Sequence, residues 1–377
     1  MNGVNKLTHQ SLDIVISSYR FTTNEHHLLK IAALKYPTEW KVQIYIVGDN
    51  PDVPVPSGLQ HLIDTEKIIF VRNDTNRGIS YCRNRGLELS TAAWILFLDD
   101  DVIPSENLLI AFIDAITHFP DVIGFAGVVN FPEPGTPFTK ALELSGYTNY
   151  FSAAKYRTSL PWPIGANMLF NREKIRNLRF LEEFSKVGGG EEVDFAIRVK
   201  LTAEEHFLSV PDASTLHPWW NEGKPNFSRP FNYSQANYLL LKRHPQYAIW
   251  RFCNSLELLF FLLLFMPFAA IAGVDAVKYL LFIISVLLID FGVHILKISR
   301  EKRTKSFIVL YYTWRIKLAE QLGFLTICIR KFYLKGFFTK FNFELSPLKM
   351  KHFHTNRWII LRIMLIVISF IAFFLVL

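Results

Sequence analysis

The hydrophobic and polar positions of this chain follow one rhythm up to about residue 255 and another beyond it. In the first part, apolar runs of strand length alternate with stretches of helical spacing. Residues 12–19 read as a buried strand closing on small polar residues. Residues 24–35 have helical apolar spacing at Leu28, Leu29, Ile31, Ala32 and Leu34, and residues 42–49 form a second strand ending in Gly-Asp. The proline-rich stretch 51–56 is a loop. Residues 67–71 are a short third strand, 78–89 a helix and 94–98 a fourth strand. This alternation predicts βαβ units, a mainly parallel sheet and an α/β fold. Further on, residues 124–129 read as a strand and 131–135 as a loop. Residues 221–233 read as a mobile loop leading to a helix near 238–242.

The fourth strand ends in unusual chemistry. Ile95-Leu96-Phe97-Leu98 runs straight into Asp99-Asp100-Asp101. A continuous apolar run fits a strand buried on both faces, which would put the acids at its carboxyl end, where open α/β sheets bind ligands. Three adjacent carboxylates repel one another, and hard oxygen donors of this kind suit Mg²⁺ or Mn²⁺. Two other strands also end in polar groups, Ser17/Ser18 and Asp49, so three strand ends converge on one sheet edge.

In the second part, residues 256–272 and 277–296 are long apolar runs separated only by 273–276, and 358–377 is a third, with Arg362 near its start. Each approaches the ~20 residues that cross a bilayer, so the first two read as a transmembrane hairpin within a 236–305 segment and the last as a third span. Hydrophobic residues make up 50% of the chain and aromatics 15%, with the surplus after residue 255. The net charge of +8 is concentrated around Lys297, Arg300, Lys302, Arg303 and Lys305, and again from Arg330 and Lys331 through Lys335, Lys340, Lys349, Lys351, Arg357 and Arg362. Beside apolar segments, such charge points to membrane lipids. With no recognisable nucleic-acid-binding motif, nucleic acid is set aside as a partner.

Lys242, Arg243 and Arg251 precede the first span and the 297–305 cluster follows the second, so the positive-inside rule places 1–235 and 306–357 in the cytosol. Residues 311–329, mixing apolar and charged positions, read as an interfacial amphipathic helix. Residues 1–10 lack the apolar core of a signal peptide. The three cysteines show no CxxC spacing and fit a reducing compartment. Together these features predict an integral membrane protein whose first domain faces the cytosol.

Six segments in order make the picture specific: Val-Ile-Ser-Ser-Tyr-Arg (15–20), Ile-Val-Gly-Asp (46–49), Asn-Arg-Gly-Ile-Ser-Tyr-Cys-Arg-Asn-Arg-Gly (76–86), Phe-Leu-Asp-Asp-Asp (97–101), Gly165-Ala166-Asn167 and Gly190-Glu191-Glu192-Val193-Asp194. Over residues 11–220 the chain resembles glycosyltransferase family 2. That resemblance implies a GT-A nucleotide-diphospho-sugar transferase domain. It makes Asp99 and Asp101 a DxD motif and brings Mn²⁺ or Mg²⁺ to them, with His217 as a further ligand. It assigns the donor nucleotide sugar to Ser18, Tyr19, Asp49, Arg83, Asn84, Asp99 and Asp100, with Asp49 at the nucleobase edge and Tyr19 packing on the base. Read as residues alone, Asp49 is equally a turn residue and Tyr19 a core aromatic. The resemblance also places the general base at Glu192, where the family usually has Asp, with Glu191 and Asp194 as rival candidates. Trp162, Asn167, Trp219 and Trp220 are the candidate acceptor residues, although Trp162 reads equally as core.

These readings predict an inverting, metal-dependent glycosyltransferase. It would move one sugar from a nucleotide-diphosphate sugar to a membrane-associated acceptor, a lipid-linked glycan, in polysaccharide or glycan biosynthesis. No Gln-x-x-Arg-Trp motif of processive synthases is present, which favours single-sugar transfer. Two alternatives stay open: a polyprenyl-phosphate sugar transferase, and a catalytically silent membrane protein that binds a nucleotide sugar or glycan.

Overall fold

The computed structural model describes residues 10–186, 188–203, 205–343 and 353–376. Most of the leader reading at residues 1–10, together with Lys349, Lys351 and the last residue of the third apolar run, lies outside them. In chain order the elements are β1 (Ser11–Ser18), α1 (Glu25–Ala32), β2 (Lys41–Gly48), α2 (Ser57–Asp64), β3 (Ile68–Arg72), α3 (Ile79–Leu89), β4 (Trp94–Asp99), β5 (Ile103–Pro104), α4 (Leu108–His118) and β6 (Gly124–Asn130). There follow α5 (Pro137–Ser145), β7 (Ser159–Leu160), β8 (Asn167–Asn171), α6 (Arg172–Ile175), α7 (Glu191–Ala203), β9 (Phe207–Leu216) and α8 (Ser228–Arg243). The chain continues through β10 (Ala248–Arg251), α9 (Ser255–Ile271), α10 (Ala276–Lys302), α11 (Phe307–Arg330), β11 (Thr339–Phe341), β12 (Phe353–His354) and α12 (Arg357–Ile371).

The first compact unit runs to Glu133 and resumes over Thr148–Glu222. Its sheet has the order β3-β2-β1-β4-β8-β6-β9-β5, with β7 on β9. β1 to β4 pair in parallel, as the alternation of strands and helices requires, whereas β8 enters antiparallel to both β4 and β6. Both faces are covered, which explains why the strands read as continuous apolar runs. Ile14, Ile16, Leu96 and Leu98 are fully buried in a cluster with Leu28 and Ile31 of α1 and Leu108 and Phe112 of α4. On α3, Ser80, Cys82, Arg83, Gly86 and Leu87 are buried. Gly86 permits this close seating, because a Cβ there would lie 2.2 Å from Val15 Cγ1.

The second compact unit takes Pro134–Tyr147 together with Gly223 onward. A boundary at 235 is therefore not where packing divides the chain. Phe138 of α5 meets Phe227 and Tyr312 with ring centroids 5.5 and 5.6 Å away, and Thr136 Oγ1 donates to the Gly223 carbonyl at 2.9 Å. The expected loop at 221–233 is helical from Ser228. The 311–329 segment is not a lone interfacial helix: α11 packs closely on α8, and a Cβ on Gly323 would fall 2.0 Å from the Phe231 carbonyl oxygen.

α9 and α10 form an antiparallel hairpin. Tyr279 donates to the Leu262 carbonyl (2.7 Å), and Ser255 donates to Asp290 (2.6 Å). α12 lies along α10 through the Ser285–Ser369 contact (2.7 Å) and through Phe282 against Phe370 and Phe374. Asp290, fully buried, gathers Lys317 Nζ (2.8 Å) and Trp314 Nε1 (3.1 Å), with Arg362 at 3.8 Å. By length and composition, Ala276–Lys302 and Arg357–Leu375 are each sufficient to cross a membrane, while Ser255–Ile271 is shorter.

Candidate active site

Ser17 of β1 stands beside Asp99 of β4, and Ser18 beside Gly48 of β2, so the polar strand ends do meet along one edge. The acid run leaves the sheet there and turns into β5. Ile103 of β5 pairs with Leu216 of β9, and this pairing delivers His217 to the acids. His217 Nδ1 lies 2.6 Å from the Pro218 carbonyl oxygen. Because a carbonyl only accepts, Nδ1 carries the proton and turns Nε2 toward the acids. Nε2 faces Asp101 Oδ1 at 3.3 Å.

The ligand atoms of Asp99, Asp101 and His217 all lie within 4.8 Å of one another. Two carboxylates and an oriented imidazole form a donor set that fits Mn²⁺ or Mg²⁺. The electrostatics agree. Burial raises the Asp99 carboxyl, Arg83 pulls it back and Asp101 adds to the rise. Burial also pushes Asp100 up to about 6 against the hydrogen bond it receives from Ser18.

The second part of the site opens α7. Gly188, Gly189 and Gly190 have φ of 89°, 137° and 89°, a left-handed turn that side chains disfavour and that leads the chain into the helix. Glu191 and Glu192 then occupy the first turn, where the helix dipole favours acids. Glu191 is buried and accepts from Arg83 Nη1 at 2.7 Å. The other arm of Arg83 reaches Asp99 Oδ1 (3.4 Å) and the Gly165 carbonyl (3.3 Å), with Phe180 beneath the guanidinium at 5.5 Å. One buried arginine thus joins the acid edge to the start of α7. Glu192 stands beside Gly165, where a Cβ would lie 3.5 Å from Glu192 Cγ. Burial pushes the Glu192 carboxyl up to about 8, Glu191 adds to this and Arg83 opposes it. A carboxyl tuned toward neutral pH is suited to general-base work.

Several expected contacts are put to other uses. Ser18 and Asp100 are bonded to each other and buried. Asp49 accepts from Asn73 Nδ2 (2.8 Å), Arg77 N (2.9 Å) and Gly78 N (2.7 Å), so its carboxylate braces the loop before α3. Arg83 is too buried to meet a diphosphate directly. Asn84 exchanges two hydrogen bonds with the Phe180 backbone (2.8 and 2.7 Å), a structural tie. Asp194 is fully buried and paired with Arg198, its i,i+4 partner, at 2.7 Å. Trp162 is buried against Tyr150, stacked at 5.9 Å, and Asn167 bolts β8 to the Val128 and Ala213 carbonyls (3.2 and 2.9 Å).

Tyr19, by contrast, is 51% exposed at the end of β1. Trp219 and Trp220 are half-buried beside the acids: Trp219 stacks on Phe131 (4.8 Å) and Trp220 meets the His217 ring at 5.5 Å. Sequence reasoning missed Arg20 as a candidate site residue. Arg20 Nη2 donates to Asp101 Oδ2 at 3.4 Å from a largely exposed side chain. Its only sequence signal is its position just beyond the Ser-Ser-Tyr strand end.

Residues 27–179 match the model of the family described as Glycosyl transferase family 2. A Haloferax volcanii protein named glucosyl-dolichyl phosphate glucuronosyltransferase is 25% identical over 118 residues, covering 31% of this chain and 38% of that one. The match therefore spans under two-fifths of the relative's length. Among solved structures, a mannosyltransferase, PcManGT from Pyrobaculum calidifontis in complex with GDP-Man and Mn²⁺, has a TM-score of 0.46 at 18% identity, covering 59% of this chain and 61% of that one. TarS 1-349 of S. aureus has a TM-score of 0.44 at 13% identity, covering 62% and 65%. Residues 27–179 are thus similar to a glycosyltransferase family 2 domain, and they lie on a mainly parallel α/β sheet.

Proposed function

We propose that this enzyme is an inverting, divalent-metal-dependent glycosyltransferase, anchored in a membrane by α9, α10 and α12. It would transfer one sugar from a nucleotide-diphosphate donor to a lipid-linked saccharide. The observation that carries the reading is the convergence of Asp99, Asp101 and His217 within 4.8 Å, joined through Arg83 to the Glu191–Glu192 turn.

In this reading a divalent ion on Asp99, Asp101 and His217 would supply Lewis-acid neutralisation of the departing diphosphate. Glu192 takes the proton from the acceptor hydroxyl as that oxygen bonds to the anomeric carbon. The bond from that carbon to the diphosphate oxygen breaks in the same in-line displacement, inverting the centre. Glu191 is occupied by Arg83 and acts as a positioning residue. Tyr19 offers a ring to the base, Arg20 a cation beside the phosphates, and Trp219 with Trp220 a wall for the acceptor.

A lipid-linked acceptor is favoured by the apolar helices and by the name of the Haloferax relative, which pairs glucosyl-dolichyl phosphate with a glucuronosyl transfer. The basic residues flanking the apolar helices support a catalytic domain on the cytosolic side.

The test is a donor screen on the purified, detergent-solubilised protein, following nucleotide diphosphate release from UDP-, GDP- and dTDP-sugars with Mn²⁺, Mg²⁺ or EDTA. Release from one donor, abolished by EDTA, is expected. Metal-independent release would overturn the metal assignment, and absence of metal-dependent donor binding would overturn the site. Product analysis with polyprenyl phosphate as sole acceptor separates the lipid-phosphate sugar synthase from the enzyme proposed here.

A further inference from the structure

We propose that the small β11-β10-β12 sheet, with the turn after α11, forms a platform that lies in the headgroup layer of an anionic bilayer at the foot of the apolar helices. The inference rests on reading α9, α10 and α12 as bilayer-embedded, but it concerns a surface outside them.

Strand register defines the platform. Trp250 of β10 pairs with Phe353 of β12, so the two share a face, and Phe252 shares it by the two-residue period. The three are 49%, 41% and 47% exposed, and the rings of Phe252 and Phe353 meet at 4.8 Å. The opposite face behaves as an interior: Ile249 is buried, and Arg251 turns inward to grip Glu257 with two hydrogen bonds of 2.7 and 2.5 Å. Exposed aromatics gathered on one face of a sheet mark a surface that meets something apolar.

Phe332 adds a second, independent sign. It follows the C-cap residue of α11 with φ of 50°, a left-handed position that helices normally give to glycine. Tyr333 N bonds back to the Cys328 carbonyl at 2.8 Å, closing the helix. Glycine would relieve the backbone. The chain instead holds a phenylalanine there, its side chain 90% exposed, with Leu334 exposed two residues later.

Charge and connectivity identify the partner. Residues 330–343 contain Arg330, Lys331, Lys335 and Lys340 and no acid. Arg330, Lys331 and Lys335 are exposed around Phe332, and Arg357 is exposed at the start of α12. Aromatic rings with basic side chains are the composition that settles at a membrane–water boundary with anionic lipid. β10 leads within a few residues into α9, and β12 into α12. Arg362 Nη2 of α12 donates to the Cys253 carbonyl (2.9 Å), pinning the α12 root to the β10–α9 link. The sheet is thus held at the depth where these helices would enter the bilayer, which favours lipid over a soluble partner or a second copy.

The experiment uses full-length protein with Cys82, Cys253 and Cys328 replaced by Ser, reconstituted in nanodiscs. Single nitroxides are placed at Trp250→Cys, Phe332→Cys, Phe353→Cys and, within α9, Leu264→Cys. Collision with oxygen and with a water-soluble nickel chelate is measured in discs of mixed anionic and zwitterionic lipid, and in purely zwitterionic discs. The three platform labels should lose accessibility to the chelate in anionic discs, at a shallower depth than Leu264. The joint substitution of Arg330, Lys331 and Lys335 by Gln should restore it. Platform labels as accessible as a nitroxide in water, with Leu264 deep, would overturn the proposal while leaving the membrane reading intact. Equal protection in zwitterionic discs would overturn the anionic-lipid assignment. A water-exposed Leu264 label would show that the membrane reading itself is wrong.

Discussion

Glu192→Gln separates chemistry from binding, because it keeps the size of the side chain and removes its ability to take a proton. Glu192 sits in the first turn of α7 beside Gly165, where burial and the neighbouring Glu191 push its carboxyl from 4.5 up to about 8 against the pull of Arg83. A carboxyl at about 8 is ionised in about one molecule in ten at pH 7, since each unit is a tenfold change or ~1.36 kcal/mol.

The sign is fixed by the role. Only the carboxylate can accept the acceptor's proton, so turnover falls as pH drops below the pKa, about tenfold per unit, and levels off above it. A cation on Asp99 and Asp101 would add positive charge nearby and lower the midpoint, which should fall between 4.5 and about 8. The assay is nucleotide diphosphate release at saturating donor and acceptor across about pH 5.5 to 9, bracketing that window. We expect the Gln variant to lose about 10²- to 10⁴-fold in kcat and to lose the acid limb, with donor affinity unchanged. Glu192→Asp, one methylene shorter, should recover part of the rate and the limb. A Gln variant within tenfold of the native kcat, or one with the same acid limb, would refute the assignment of the base to Glu192.

Asp101→Asn and His217→Ala should each weaken Mn²⁺ binding by at least about tenfold, read by calorimetric titration of the metal alone. Unchanged affinity in both would dissolve the metal site. Gly86→Ala places a Cβ 2.2 Å from Val15 Cγ1, and the resulting overpacking should cost about 1–3 kcal/mol, visible as a lowered unfolding midpoint in urea. Asp290→Ala leaves Lys317 and Arg362 without their shared carboxylate. A loss of about 3–5 kcal/mol is expected for breaking a buried pair from one side, measured as thermal unfolding in detergent, and a neutral result would show that solvent already screens this cluster.

The first four strands, α1, α3 and the three long apolar runs were legible from residue order alone, because each is a local matter of period, whereas α2 was not read from the sequence. A strand buried on both faces must be apolar throughout, and a helix that meets lipid must be apolar at length. The acid run at 99–101 was legible for the same reason, since a carboxylate cluster after a buried strand has few places to go. Tertiary structure decided the uses of those residues. Asp100, Asn84, Asp49 and Asp194 carry polar atoms that the sequence marks as chemistry, yet each is consumed by a partner brought from elsewhere: Ser18, the Phe180 backbone, the loop before α3, and Arg198. Arg83 joins the two acid centres only because Gly86 lets α3 lie on β1, and His217 reaches Asp101 only because β5 pairs antiparallel with β9. Period is written within a few residues of any position. Which side chains meet across a sheet edge depends on strand order and register, and these are settled only when the whole chain packs.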